Sequence, residues 1–232
     1  LDDEDTGWFV GMYLAEGSKS CDTLQFAGHV KEHERHARLK RIAEAYHGTC
    51  AVHQTTENGS TANVNGPMLV ALVDTYISGE TCQGKHLNPR CWFRSNTFLR
   101  SLLQGYLEGD GHRRPNGWRL GFTRNDALAA DLRTLAARVG YSLRLRRMVA
   151  INTGTGKHHN GWRGDLVTDP TKRRNPDGEI VAIRQSRARK FYNVTLAEDP
   201  HTFSLDGGIC TQNSTLRPTR VTHGPRQLRE YG

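Results

Sequence analysis

At 232 residues the chain is long enough for one large domain or two small ones, and 36% hydrophobic content supports a buried core. No apolar run approaches the roughly 18 residues a membrane span needs, so no membrane-spanning helix is expected, and no signal peptide is expected. The net charge of +8 is unevenly placed: residues 1–89 hold 7 Lys/Arg against 12 Asp/Glu, and residues 90–232 hold 25 against 12, an asymmetry that points to a polyanion partner. Five scattered cysteines (Cys21, Cys50, Cys82, Cys91, Cys210) without C-x-x-C spacing exclude a disulfide framework and a zinc cluster, and read as reduced and mostly buried.

Along the chain, residues 5–17 predict a helix capped by Asp5 or Thr6, and 23–30 a strand. Residues 33–47 predict a helix with Leu39, Ile42, Ala43 and Tyr46 on one face; His33 and His36 on it read as exposed rather than as ligands. Residues 49–65 suggest a hairpin turning at Asn58-Gly59, and 67–78 a helix opened by Pro67. Residues 80–95 read as irregular. Residues 96–110 predict a helix, followed by strands around 112–124 joined near Pro115-Asn116-Gly117, a helix at 126–139 and a strand at 141–150. Residues 152–179, rich in Gly, Asn, Asp and Pro, read as a long loop or hairpin in which Lys172, Arg173 and Arg174 could reach phosphates. The series that starts at residue 5 begins again after 96, a degenerate repeat of about 90 residues.

The repeat is sharpest where it carries chemistry. Residues 9–17 read FVGMYLAEG and residues 103–111 read LQGYLEGDG. Gly11 and Ala15, and 94 residues later Gly105 and Gly109, are spaced i, i+4 and so strip one helical face of side chains. Two helices can then pack closely and bring Glu16 and Asp110 together at their C-terminal ends. That end of a helix disfavours a carboxylate unless a cation compensates, which makes a hard oxygen site suited to Mg²⁺ or Mn²⁺. Gly17 and Gly111 stand where a left-handed residue would stop each helix.

These two segments resemble the motifs of the LAGLIDADG homing endonucleases, in the single-chain form with two motifs. Leu14 departs from the pattern at the sixth place of the first copy, while Glu16 keeps the functional eighth place. The resemblance implies an α+β fold of two pseudo-symmetric halves, residues 1–95 and 96–180, packed through the motif helices as a monomer with pseudo-twofold symmetry. It implies that Glu16 and Asp110 bind divalent cations at the scissile phosphates of a double-stranded DNA target. A basic residue is expected nearby; Lys85 resembles the family's lysine, with one extra residue before Pro89, and Lys190 is a candidate for the second half. The strands at 23–30 and 112–124 would lie in the major groove, with Arg113, Arg114, Arg119 and Arg124 as contacts.

Residues 191–214, FYNVTLAEDPHTFSLDGGICTQNS, are similar to the C-terminal splicing region of inteins. The Asn213 side-chain amide would attack its own carbonyl, Ser214 would take over an acyl group, and His201 would move protons. Gln212 stands where a His is usual, and Asn193 where the family often has Asp. The implied organisation is a splicing segment over 181–213 and the start of a host protein over 214–232, with an N-terminal splicing portion and exteins as partners. The sequence begins with Leu, which suggests a fragment, and its location is expected to be cytoplasmic or nucleoid-associated. The alternatives are a cleavage-inactive DNA-binding protein of the same fold and an RNA maturase.

Overall fold

The computed structural model describes residues 3–151, 154–169 and 171, and the backbone of residues 202–205 and 209–212. Helix α1 (Asp3–Glu16) runs without a loop into β1 (Gly17–Ser20), which pairs with β2 (Thr23–His29). Helix α2 (His33–Ala45) follows, then β3 (Thr49–Gln54) and β4 (Gly59–Asn65), closing an antiparallel sheet of order β1-β2-β4-β3. Helix α3 (Pro67–Tyr76) leads into a short pair, β5 (Ile77–Ser78) and β6 (His86–Leu87), and a 3₁₀ turn at Pro89–Phe93. The second half repeats the pattern. Helix α4 (Asn96–Asp110) runs directly into β7 (Gly111–Arg114), β8 (Gly117–Leu120) precedes α5 (Asp126–Arg138), and β9 (Ser142–Ile151) and β10 (His158–Val167) complete a sheet of order β7-β8-β10-β9. Both halves thread their sheets identically, as the repeat requires.

The core follows from alternation. In the first sheet Leu24, Phe26, Ala62 and Val64 point to the helices and are at most 1% exposed. Leu39, Ile42 and Ala43 of α2 meet them, and Phe9 stacks 5.3 Å from Phe26. In the second sheet Leu120, Leu143 and Leu166 do the same work under Leu128, Leu132 and Leu135 of α5. Helix α4 is capped by Ser95, whose Oγ accepts the Phe98 amide at 3.1 Å, and α5 by Asn125, whose Oδ1 accepts the Leu128 amide at 3.0 Å.

Helices α1 and α4 form the seam between the halves. A Cβ added at Gly11 would fall inside the Leu102 carbonyl oxygen and 2.9 Å from the Tyr106 nitrogen. One added at Gly105 would meet the Trp8 carbonyl in the same way, and the Met12 nitrogen at 3.0 Å. The contact is reciprocal under the 94-residue shift, which is the signature of a local twofold axis. Gly7, one turn before Gly11, faces the Phe98 carbonyl and extends the seam.

Several expectations change. Helix α1 begins at Asp3, so Asp5 and Thr6 lie inside its first turns rather than at a cap. Gly17 and Gly111 are not left-handed stops: Gly17 is absent from the positive-φ residues and Gly111 has φ −112°, ψ 159°. Each helix passes straight into a strand, and each glycine is needed for space. A Cβ at Gly17 would strike the Tyr13 ring, and one at Gly111 the Leu107 carbonyl. The third helix stops at Tyr76, and residues 80–95 contain β6 and the 3₁₀ turn. Residues 158–167, within the segment read as a loop or hairpin, form a central strand of the second sheet. Among the described cysteines only Cys91 is buried; Cys21 and Cys82 are exposed and Cys50 is half-buried. His36 is half-buried too, its Nε2 3.1 Å from Ser60 Oγ.

Buried Asp5 ties α1 to α2. Burial pushes its carboxyl up, but bonds from Arg41 and Arg38 outweigh this and hold it below its ordinary value. A carboxyl whose value is depressed on folding stabilises the fold above its unfolded value, and that contribution disappears as pH falls through the folded value. Asp5→Asn should therefore lower stability at neutral pH, and the gap to the parent should close below about pH 4. Urea denaturation at a series of pH values checks this; a gap that persists at low pH would exclude the charge as its cause.

A separate unit contains two short paired strands, β11 (Thr202–Leu205) and β12 (Ile209–Gln212), antiparallel with Thr202 opposite Gln212. His201, Asn213, Ser214, Lys190 and the Lys172–Arg174 run lie outside the described residues.

Candidate active site

The seam delivers two carboxylates to one place. Gly109 packs so tightly on α1 that a Cβ there would be 2.6 Å from Ala15 Cβ and 3.0 Å from Glu16 Cγ. Asp110 follows immediately. Its Oδ2 accepts the Tyr106 hydroxyl at 3.1 Å, and its backbone carbonyl accepts the Gly121 amide at 2.8 Å. The second motif offers another acid, Glu108, but that one is spent elsewhere: its oxygens accept Trp8 Nε1 at 2.6 Å and Gln104 Nε2 at 2.7 Å. Glu16 accepts no hydrogen bond or ion pair among the described residues, so its lone pairs are available.

Burial raises the Glu16 carboxyl; the Arg35 guanidinium pulls it down, and the Asp110 charge pushes it up again. Burial also raises Asp110, against the Tyr106 hydrogen bond and the Lys85 charge. Two desolvated carboxylates that repel each other at two helix C-termini store an unfavourable charge that a cation would relieve. The donor set is all oxygen, and no cluster of three or more His, Cys, Asp or Glu surrounds it among the described residues. These residues fit Mg²⁺ or Mn²⁺, which keep several waters or take phosphate oxygens beside one or two carboxylates.

Lys85 lies beside the carboxylates and is only 4% exposed. Its ammonium donates to the Tyr13 carbonyl at 3.0 Å and the Gly17 carbonyl at 2.7 Å, and sits 5.1 Å from the centre of the Tyr13 ring. It thus closes the C-terminal end of α1, supplying the positive charge that end favours. Burial lowers its value, while the charges at Cys82, Glu16 and Asp110 raise it. Its own carbonyl accepts Asn125 Nδ2 at 2.6 Å, so the cap of α5 in the second half fixes the lysine of the first. Lys85→Met should cost about 2 kcal/mol, because two buried carbonyls lose their donor. Urea denaturation measures it, and an unchanged midpoint would mean that water replaces the ammonium without loss.

Arg35, Tyr13 and Tyr106 are neighbours of Glu16, Lys85 and Asp110 that sequence reasoning missed. Arg35 comes from α2, pairs with Glu32 at 2.9 Å and donates to the Ala27 carbonyl, while its buried Nε lacks a partner. Tyr106 did leave a signal, since it stands four residues before Asp110 on the same helical face.

The open faces of the two sheets, away from the helices, differ in charge. Strand register places Gln25, Thr61, Asn63 and His53 on the first, with no Lys, Arg, Asp or Glu among its described strand positions. The second presents Arg114, Arg119, Arg144, Arg146 and Arg163 around a single acid, Asp165. Arg113 pairs with Trp118 and so points to the opposite side of the sheet from Arg119, while Arg124 is exposed on the loop before α5.

No protein-family model matches the sequence. Two solved structures of the homing endonuclease I-DmoI share its architecture. One, from a study of mesophilic variants, aligns with TM-score 0.51 and 7% identity over 72% of this chain and 89% of that one. The other, a variant in complex with its target DNA nicked in the coding strand in the presence of manganese, aligns with TM-score 0.50 and 6% identity over 71% and 88%. The fold is that of the LAGLIDADG homing endonucleases. Within it, the two four-stranded sheets are the paired α/β halves, and the α1–α4 seam carries the two motifs. In sequence, an iron–sulfur cluster assembly SufBD family protein of Mycobacterium bovis is 27% identical over 150 residues, 60% of this chain, as is one of Mycobacterium tuberculosis. The chain spans 18% of the length of these relatives. No described helix is long and apolar enough to cross a membrane.

Proposed function

We propose that this chain is a site-specific, divalent-metal-dependent endonuclease of double-stranded DNA, carried within an intein together with the C-terminal part of its splicing domain. The observation that carries the reading is the pair of half-buried carboxylates, Glu16 and Asp110, each ending a glycine-packed helix, with Lys85 holding one of those ends. Glu16 and Asp110 would hold Mg²⁺ or Mn²⁺, which supplies an oriented water and neutralises charge developing on the phosphate. Lys85 and Tyr106 keep the carboxylates at their posts. The arginine-rich open face of residues 111–167 suits a phosphate backbone and base edges in a groove. The I-DmoI structure with target DNA supports the comparison.

The intein reading is supported by the paired strands ending at Gln212, one residue before Asn213. It is supported as well by a match that occupies a small share of a much longer SufBD family protein, as an inserted element would. The roles of His201, Asn213, Ser214 and Lys190 remain part of this proposal.

The test is cleavage of a plasmid library carrying randomised and host-gene inserts in Mg²⁺, with sequencing of the ends produced. Recurrent breaks at one long sequence support the reading. Tight duplex binding without breaks would favour the non-cleaving DNA-binding protein, and preference for structured RNA would favour the maturase.

A further inference from the structure

Asp165 stands in the middle of a face that otherwise carries arginines. It lies on β10 directly opposite Arg119 of β8 on one side and Arg144 of β9 on the other. Its Oδ1 accepts Arg119 Nε at 3.2 Å and its Oδ2 accepts Arg146 Nη2 at 2.9 Å. Burial raises its carboxyl, but the bonds from Arg119 and Arg146 prevail and hold it below the ordinary carboxylate value. An acid here opposes phosphate binding, so a face built only for the backbone would be better without it.

What the acid supplies is direction. Arg119 is an exposed-end, long side chain that would otherwise sample many rotamers. With Nε committed to Asp165, both Nη groups of Arg119 remain without hydrogen bonds among the described residues. They form the planar fork that matches O6 and N7 of guanine. Arg146 is held from the other side through Nη2 on Oδ2, so each oxygen of Asp165 serves a different arginine. Resting on the DNA-binding reading above, we propose that Asp165 is a positioning residue for base recognition, fixing Arg119 as a guanine-reading fork in the half-site that faces residues 111–167. Sequence discrimination there is bought with non-specific affinity.

The experiment uses the full chain in Ca²⁺, selecting binders from a pool of randomised 40-bp duplexes, with affinities then measured for the recovered consensus and for a random duplex. A bidentate arginine contact discriminates by about tenfold or more. The parent should therefore select guanine at one position of that half-site. Asp165→Asn and Arg119→Lys should each flatten that position by about tenfold, and the double variant should be no worse than either alone, because one interaction is removed in all three. Asp165→Asn should also bind the random duplex more tightly than the parent, because a negative charge leaves the face; that gain follows from charge alone, and the loss of guanine preference is the readout that a merely structural ion pair would not move. Thermal melts identify a variant that fails to fold; if Asp165→Asn does so, Asp165→Ser takes its place, since Arg119→Lys tests the reading fork and not what positions it. Unchanged guanine preference in the variants, or a consensus without guanine there, overturns the positioning role while leaving DNA binding intact. A parent that binds neither duplex overturns both readings.

Discussion

Glu16→Gln and Asp110→Asn are each expected to abolish double-strand cleavage while leaving duplex binding near the parental level. The rate loss should be on the order of a thousandfold or more, as when a group stabilising developing charge is removed. Binding should survive because neither carboxylate lies on the open faces of the sheets. Both groups are desolvated, and the Asp110 charge raises the Glu16 carboxyl. Neutralising either therefore removes a repulsion, and the variants should melt no lower than the parent. That combination, dead but at least as stable, marks a site that holds charge against the interest of the fold. Linearisation of a supercoiled target plasmid in Mg²⁺, set beside binding in Ca²⁺, reads both quantities. Parental linearisation by either variant would sink the assignment.

Gly11→Ala and Gly105→Ala should be among the most damaging small substitutions in the described fold. At both, the obstructing atoms are backbone of the facing helix, which cannot turn aside as a side chain can. Overpacking usually costs 1–3 kcal/mol, and a clash with backbone in a seam of this length should cost about 3 kcal/mol or more. For a chain of this size that is a fall of about 10 °C in melting midpoint. Gly140→Ala is the comparison: Gly140 follows α5 at φ +82° with nothing within 4 Å of a Cβ, so only its left-handed backbone is penalised, by about 1 kcal/mol. Equal losses at Gly11 and Gly140 would mean that the helices part to make room.

Much of this seam was legible in the sequence because its physics is local. Small residues at i, i+4 followed by an acid specify a helix face and its end, and the second copy removed the ambiguity of the first. The left-handed stops inferred at Gly17 and Gly111 failed because a glycine at a helix end has two uses, and only the packed structure reveals that Tyr13 and the Leu107 carbonyl claim the space. Strand β10 was read only as loop or hairpin because Asn160, Gly161, Gly164 and Asp165 have poor strand propensity. Its order comes from partners on both sides: ten consecutive positions pair with β9, and three with β8. Lys85 could be marked as a candidate by resemblance, but its bonds to Tyr13 and Gly17 join residues some 70 positions apart, which no local pattern encodes. Arg35 left no mark at all, since a basic residue on an amphipathic helix ordinarily faces water.

The reciprocal glycine seam has a consequence for how such a molecule can be rebuilt. At the glycines, contact between the halves runs through main-chain atoms, and these are the same in every sequence. Two halves of different ancestry, joined near residue 95, need a few small residues at fixed spacing to dock in register, together with side-chain bonds such as that of Trp8 to Glu108. The sheets, with Gln25 and Asn63 on one side and Arg119 and Asp165 on the other, would travel with their halves as interchangeable cartridges. The asymmetry of charge between the two faces is therefore open to recombination, whereas the glycine positions of the seam admit almost no variation: the fold keeps its coupling and its open faces on separate surfaces.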